Sequence, residues 1–266
     1  MADIEDTRAV VDADETFDGA IMPSEQAELG RPVRVRERAT VRGSVYGQSV
    51  EADPDAHIEA SVMASDSVEL TGSRVAAEVG CPGRVVAEGA HIGGTVTGKR
   101  VRLVDCIVRG NVVGAEVILE NCVVLGIVTA DRSLTVEDSL CYTVRSQGDT
   151  SFDGATLVLP QAIVNGSPTF HSPVSVAGLG ELDVPTDDGL PQMDEDDLYE
   201  RNETTYLTLA PRILDLEQVT DRLEALESAV MDAVDDTSGE SDPEAAAGAV
   251  LDSLEVEGAR PDVLAD

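Results

Sequence analysis

The sequence predicts an all-β core, a parallel, three-faced β-helix of about eight coils, with a C-terminal α-helical extension. Two observations predict the β-helix: a pattern whose copies lie about 16–17 residues apart, and an alternation of apolar and polar residues within each copy. A heptad spacing of apolar residues near the C-terminus predicts the helical part. Self-similarity at a short fixed period is typical of solenoids, in which each repeat packs on its neighbours.

The repeat consists of a β-branched residue, any residue, Gly or Ala, any residue, and then Val. The alternation favours strands, because every second side chain of a strand lies on the same face. Val and Ile at these positions suit pleated sheets. We therefore expect the first member of each copy to point inward and to stack in one core ladder. The six first members are Val41, Ile58, Val75, Ile92, Val108 and Val124.

The repeat and the composition around it divide the chain into five segments. The β-helix domain is predicted over residues 31–182, with coils from about 35 to 168. An acidic, disordered N-terminal tail is expected at 1–30 and an acidic linker at 183–210, where Pro, Gly and Asp concentrate. Amphipathic helices are expected over 211–257 and a disordered end at 258–266.

The two ends of a β-helix present unpaired backbone groups above an apolar interior. An end must be capped, or it can stack on another end and extend the assembly. Phe152 and Phe170 lie near the C-terminal end of the predicted rod, and aromatic residues form only 3% of the chain. They form either an end-to-end interface or two ordinary core positions, and the sequence leaves both open.

The predicted C-terminal extension contains a heptad seam that lasts about two and a half heptads, which is short for an autonomous coiled coil. This helix either docks on its own rod, or self-associates, or binds a partner. A second helix is expected to start at Asp242 and Pro243, a capping residue followed by Pro in the first turn. The residues of the seam are Leu216, Val219, Leu223, Leu226 and Val230.

The composition excludes several classes of protein. The net charge is −34, from 52 acidic and 18 basic residues, which opposes nucleic-acid binding. No apolar run is long enough for a transmembrane helix, so no direct membrane insertion is expected. A single lysine beside many carboxylates is typical of proteins from a salt-rich cytoplasm, and we expect a halophilic archaeal source. The N-terminal segment 1–30 is charged throughout and lacks the apolar stretch of a secretion signal.

Candidate chemical groups are few, and no catalytic residue, cofactor or metal site is predicted. Cys106 and Cys122 are one coil apart and are expected to be stacked, buried thiols. His57 and His91 are two coils apart on the outside of the rod, about 9.6 Å from each other, which is too far to share one ion. Together with His171 they are interpreted as surface histidines.

At its repeated units the chain resembles the bactofilin family of polymer-forming cytoskeletal proteins, and among them the archaeal halofilins, over about residues 35–170. The resemblance implies a right-handed β-helix that polymerises end to end without nucleotide and contributes to cell shape. It also implies self-association in the cytoplasm, as filaments or foci near the cell envelope. The C-terminal helix would be available to another cytoskeletal or envelope-associated protein.

Two alternatives remain open from the residues. The first is a left-handed β-helix acyltransferase, for which His91-Ile-Gly-Gly94 matches the hexapeptide repeat once, with His57 or His91 as base. The steps of the repeat in this chain are too short for the longer coils of that fold. The second is a binding scaffold whose ends are capped by its own helices and which does not polymerise.

Overall fold

The computed structural model describes residues 3–5, 8–22, 30–159, 161–179, 198–201, 204–207, 216–235 and 242–254. It confirms the predicted fold class: parallel strands stack into a β-solenoid of about eight turns, and two helices follow near the C-terminus.

The first 21 strands form one sheet system, β22 and β23 form a second, and two helices complete the elements. The elements are β1 (Asp3–Glu5), β2 (Arg8–Val11), β3 (Thr16–Phe17), β4 (Val33–Val35), β5 (Thr40–Val41), β6 (Val45–Ala52), β7 (His57–Ile58), β8 (Val62–Thr71), β9 (Arg74–Val75), β10 (Val79–Glu88), β11 (His91–Ile92), β12 (Val96–Val104), β13 (Ile107–Val108), β14 (Val112–Glu120), β15 (Val123–Glu137), β16 (Leu140–Ser146), β17 (Asp149–Asp153), β18 (Thr156–Leu157), β19 (Ile163–Val164), β20 (Pro168–Phe170), β21 (Ser175–Val176), β22 (Leu198–Arg201), β23 (Thr204–Leu207), α1 (Leu216–Asp235) and α2 (Pro243–Ser253).

Each coil contributes to three faces, and the coil that starts at β11 illustrates the pattern. The two residues of β11 lie on face A, between β9 and β13. The strand β12 then turns at Lys99, so that its first part lies on face B and its second part on face C. All three faces pair in parallel with the coils before and after. The faces therefore enclose a common apolar core, with the outward side chains on the surface.

Two kinds of corner shape the coil. Between faces C and A the chain takes a positive φ once per coil, for example at Asp55 (58°), Gly72 (51°) and Asn121 (50°). Asp, Asn and Gly tolerate this left-handed conformation better than other residues. Between faces A and B the backbones stack closely. A Cβ added at Gly110 would lie 2.6 Å from the carbonyl carbon of Gly94, so packing against the neighbouring coil requires Gly at this position.

The solenoid starts earlier than predicted: residues 8–22, which fall within the predicted disordered tail at 1–30, contribute its first coil. The strand β2 pairs in parallel with β4, and β3 pairs with β5. The partners Phe17 and Val41 are further apart in the chain than one period of the repeat. An insertion therefore breaks the period after the first coil, and the repeat does not reveal that coil. Residues 23–29 lie outside the described ranges.

The C-terminal part also differs from the prediction in places. Within the predicted linker, 183–210, the strands β22 and β23 form an antiparallel pair. The helix α1 is described from Leu216, while the predicted start at Pro211 lies outside the described residues, as does the predicted end segment 258–266. The helix α2 begins as predicted: Pro243 is its first residue, and the Asp242 carboxylate accepts a hydrogen bond from the Ala245 N–H at 2.9 Å.

Candidate functional site

The core ladder predicted from the repeat is a continuous column on face A. Its six residues occupy successive coils in direct register, and each is at most 1% exposed. The same column extends from Phe17 before the first of them to Cys141, Leu157 and Val176 after the last. The column runs for about 43 Å, since its nine steps are about 4.8 Å each. In the described coils the interior is therefore enclosed along the rod, and the two ends are the places where it can be exposed.

At the C-terminal end, two core columns finish at exposed side chains. Phe152 is 2% exposed and Phe170, the next residue of the same face C column, is 60% exposed. The two rings stack with centroids 5.4 Å apart and planes 11° from parallel. Val176, which ends the face A column, is 53% exposed. Phe152 is thus a core residue, whereas Phe170 and Val176 are exposed apolar residues of the last coil, and we name these two residues the end plate.

The N-terminal end differs. The short strand β1 pairs antiparallel with β2 and covers the outer edge of the first face C strand. Val11 and Ile21, which point inward in the first coil, are only 1% and 4% exposed. The two ends of the rod are therefore chemically distinct: an antiparallel strand lies over the edge of one, and the other presents the end plate.

The helices lie on the side of the rod, against face A of the later coils. Leu226 and Val230 of α1, with Ala247 and Val250 of α2, are buried in one apolar cluster with outward side chains of the rod. We name the rod's part of this cluster the lateral face, and α1 with α2 the helix pair. The side chains of the lateral face are Ile107, Val123, Leu125, Leu140, Tyr142 and Val158.

Two polar contacts orient the helix pair on the lateral face. The Arg109 guanidinium donates from Nε to the Glu227 carboxylate at 3.0 Å, and the Tyr142 hydroxyl donates to the Leu223 carbonyl at 3.5 Å. Burial, and secondarily the nearby Glu227 charge, raises the pKa of Tyr142 to about 12. The contact is therefore apolar at its centre, with one partly exposed ion pair that joins α1 to the rod.

The five predicted seam residues differ in how they are placed in the structure. Leu226 and Val230 are buried in the cluster that the helix pair shares with the rod, Leu223 packs against this cluster, and Val219 is half-buried. Leu216 is the first residue of α1, and its side chain lies outside the described part. Of the three interpretations left open, the geometry corresponds to docking on the chain's own rod.

Sequence reasoning missed the lateral face, although a signal was present. The outward column of face A reads His57, Arg74 and His91 in the early coils and then Ile107, Val123 and Leu140. A polar column that becomes apolar for three successive coils indicates that something covers those coils. The repeat concealed this change because it was defined by the inward positions only.

All four cysteines are free and buried. The thiols of the stacked pair donate to neighbouring carbonyls, Cys106 to Val104 at 3.1 Å and Cys122 to Glu120 at 3.2 Å. Burial, together with the adjacent Cys106, raises the pKa of Cys122. Burial alone raises the pKa of Cys141 to about 12. Such groups stay neutral in the folded state, which is typical of structural thiols and not of reactive ones.

These buried acids predict alkaline destabilisation. In the unfolded chain Cys141 ionises near 9.0 and Tyr142 near 10.0, whereas both keep their protons to about pH 12 when folded. Above pH 9 the unfolded state therefore binds fewer protons, and the free energy of unfolding falls with rising pH, by up to about 1.4 kcal/mol per pH unit for each group. Urea unfolding midpoints at several pH values will measure this fall.

Two variants separate the contributions. Cys141→Val is expected to reduce the slope from pH 9 upward, and Tyr142→Phe only from pH 10 upward. A slope that is unchanged in Cys141→Val would contradict the assignment of a buried, neutral thiol at this position.

The three histidines lie apart. His57 and His91 both pair with Arg74 of the coil between them, so an arginine separates them, and His171 is exposed near the C-terminal end of the rod. Among the described residues no group of three or more His, Cys, Asp or Glu is placed to hold a metal ion.

Comparisons with protein-family models, with curated proteins and with solved structures find no match to this chain. Within the described ranges, no helix combines the length and apolar character needed to cross a lipid bilayer.

Proposed function

We propose that this protein is a nucleotide-independent scaffold that assembles through the C-terminal end of its β-solenoid, in the manner of the bactofilin family that its repeat resembles. The observation that carries the proposal is the end plate. Phe170 and Val176 occupy positions that are buried in the coils before them, yet they are 60% and 53% exposed. A second copy stacked on this end would bury these side chains and so extend the apolar core.

The energetics allow assembly that depends on concentration. Full burial of a large apolar side chain contributes about 1.5–3 kcal/mol, and Phe170, Val176 and the half-buried Val164 and Val174 are available at this end. The outer edges of β20 and β21 add backbone groups that a neighbouring strand can pair. Association itself costs about 4–15 kcal/mol, which is similar to the gain from burial. The fraction of protein that is assembled is therefore expected to depend on protein concentration.

The position of the helix pair favours assembly over a capped scaffold. The pair packs on the side of the rod, and its rod contacts come from outward residues such as Ile107, Leu140 and Val158. Phe170 and Val176 remain exposed with the pair in place. Among the described residues, the helices therefore do not cover the end plate, which favours its use by a second copy.

The finer parts of the proposal follow the family resemblance. Filaments or foci in the cytoplasm near the envelope, a contribution to cell shape, and a cytoskeletal or envelope-associated partner are all proposed on that basis. A salt-rich cytoplasm is proposed from the net charge of −34, because at about 1 M salt the Debye length is only about 3 Å and self-repulsion is screened. The acyltransferase alternative stays a prediction, which acetyl-CoA binding would test.

The substitution Phe170→Glu tests the proposal. A carboxylate in the end plate opposes burial against another copy, so assembly is expected to weaken by about 100-fold in dissociation constant. Sedimentation and electron microscopy in about 2 M KCl, where charges are screened, will measure it. The matched control is Thr169→Glu, which adds the same charge at the neighbouring exposed residue of β20, on the outward side.

Two results would overturn the proposal. One is a full-length protein that stays monomeric at every concentration. The other is an assembly that Phe170→Glu and Thr169→Glu weaken to the same extent, since this would show a response to charge and not to the end plate.

A further inference from the structure

The helix pair that contacts the lateral face consists of two short helices, and a long connection joins it to the rod. The last described residue of the rod region is Leu179, and α1 begins at Leu216. The lateral face nearly reaches the C-terminal end of the rod: Val158 follows Leu157, whose column neighbour in the last coil is Val176. The docked pair therefore lies about one coil, or about 4.8 Å along the axis, from the end plate.

The connection is far longer than docking on the same rod requires. Residues 180–215 separate the rod from α1, and 198–207 of these contain the strand pair β22–β23. The segments 180–197 and 208–215 remain. Fully extended, these two segments together reach at most about 90 Å, at about 3.5 Å per residue. The lateral face itself spans three coil steps, from the coil of Ile107 to the coil of Val158, which is about 14 Å.

We propose that the helix pair is an exchangeable strap, which docks on the lateral face of a second copy of this chain as well as on its own. The second copy offers the same six apolar side chains and the same Arg109, so every contact seen within one chain can form between two. Exchange of an identical element between protomers is a low-cost route to association. The strap needs no end-to-end stacking, although stacking would raise its effective concentration.

Charge determines the conditions for exchange. Residues 216–254 contain 11 acidic residues and one basic residue, and residues 8–179 contain 23 acidic and 14 basic. Both parts are therefore net negative, and the approach of a strap to another rod is repelled at low ionic strength. The apolar cluster supplies the attraction, and Arg109 pairs with Glu227 outside it. Exchange in trans is consequently expected in concentrated salt, where repulsion is screened.

Two complementary full-length variants test the proposal, both carrying Phe170→Glu so that the end plate plays no part. The face variant adds Val123→Asp and Leu140→Asp, which place carboxylates in the lateral face and prevent docking there, while its strap is unchanged. The strap variant adds Leu226→Asp and Val230→Asp, which place carboxylates on the strap and prevent it from docking, while its lateral face is unchanged. The rod is expected to tolerate the changes on its surface, because the same outward column holds His57 and Arg74 in earlier coils.

The readouts are sedimentation and hydrogen exchange in about 2 M KCl. Neither variant can dock its own strap. In a solution of the face variant alone, the amide hydrogens of α1 are therefore expected to exchange fast. Added strap variant is expected to give a 1:1 complex and to slow α1 exchange at least about 10-fold, as local opening becomes rarer. A partner carrying all four docking substitutions is the matched control and gives no protection.

Protection by the strap variant but not by the control supports exchange in trans. The proposal is overturned if both variants keep a folded rod by circular dichroism, yet no complex and no protection appear up to about 1 mM. It is also overturned if the control protects α1 equally. Since all components lack Phe170, these results do not depend on whether the end plate assembles the wild-type protein.

Discussion

Replacing Ile58 by Ala is expected to destabilise the rod by about 2–5 kcal/mol, the usual cost of removing a large aliphatic side chain from a packed core. Ile58 is 0% exposed and lies between Val41 and Val75 in the face A column. The coils on both sides are held in register, so they cannot close the cavity freely. Urea unfolding followed by the β-sheet signal in circular dichroism will measure the change.

The matched control is His57→Ala, in the same two-residue strand. His57 is exposed and points outward, so its truncation is expected to change the free energy of unfolding by less than about 0.5 kcal/mol. Equal effects of the two substitutions would contradict the inward assignment of the column, and with it the closed core on which the end plate depends.

The substitution Gly110→Ala is expected to destabilise the rod by about 1–3 kcal/mol, which is typical of overpacking. The added Cβ would lie 2.6 Å from the Gly94 carbonyl carbon and 2.7 Å from the Thr95 nitrogen. Both are backbone atoms of the adjacent coil, so relief requires that two coils move apart. Thermal and urea unfolding of the rod will show the loss.

The same chemical change has the opposite sign at Gly248, in α2, where an added Cβ meets no atom within 4 Å. Ala is favoured over Gly in a helix interior by about 1 kcal/mol. Gly248→Ala is therefore expected to stabilise the helix pair, as measured by its helical signal on unfolding. A loss of stability there, or none at Gly110, would contradict the packing assigned to these positions.

The fold was predictable because its repeat consists of inward positions, and a packed core accepts few residue types at such positions. Val75 and Ile92 lie in a core closed on three sides, and each must be apolar and suit a strand, so the period is visible without coordinates. The first coil escaped the same reasoning. Phe17 and Val41 obey the same packing rule, but the extra residues between them break the period.

The candidate site was less predictable, because its residues are defined by what lies next to them. Phe152 and Phe170 are one coil apart in a single column, yet one is core and the other surface, since only Phe152 has a further coil stacked above it. The spacing of Leu226 and Val230 predicts a helix with an apolar stripe. It does not say whether a rod, another copy or a different protein covers that stripe.

By itself, the sequence determined the stacked coils, their inward columns and the presence of amphipathic helices, because these follow from local periodicity and from the exclusion of water from a core. Only the tertiary structure decided where the rod begins, which end exposes its columns, and that the helix pair covers Leu140 and Tyr142 on the side. Those outcomes depend on contacts between segments that are distant in the chain, such as Tyr142 with Leu223, and no periodicity along the chain encodes such a meeting.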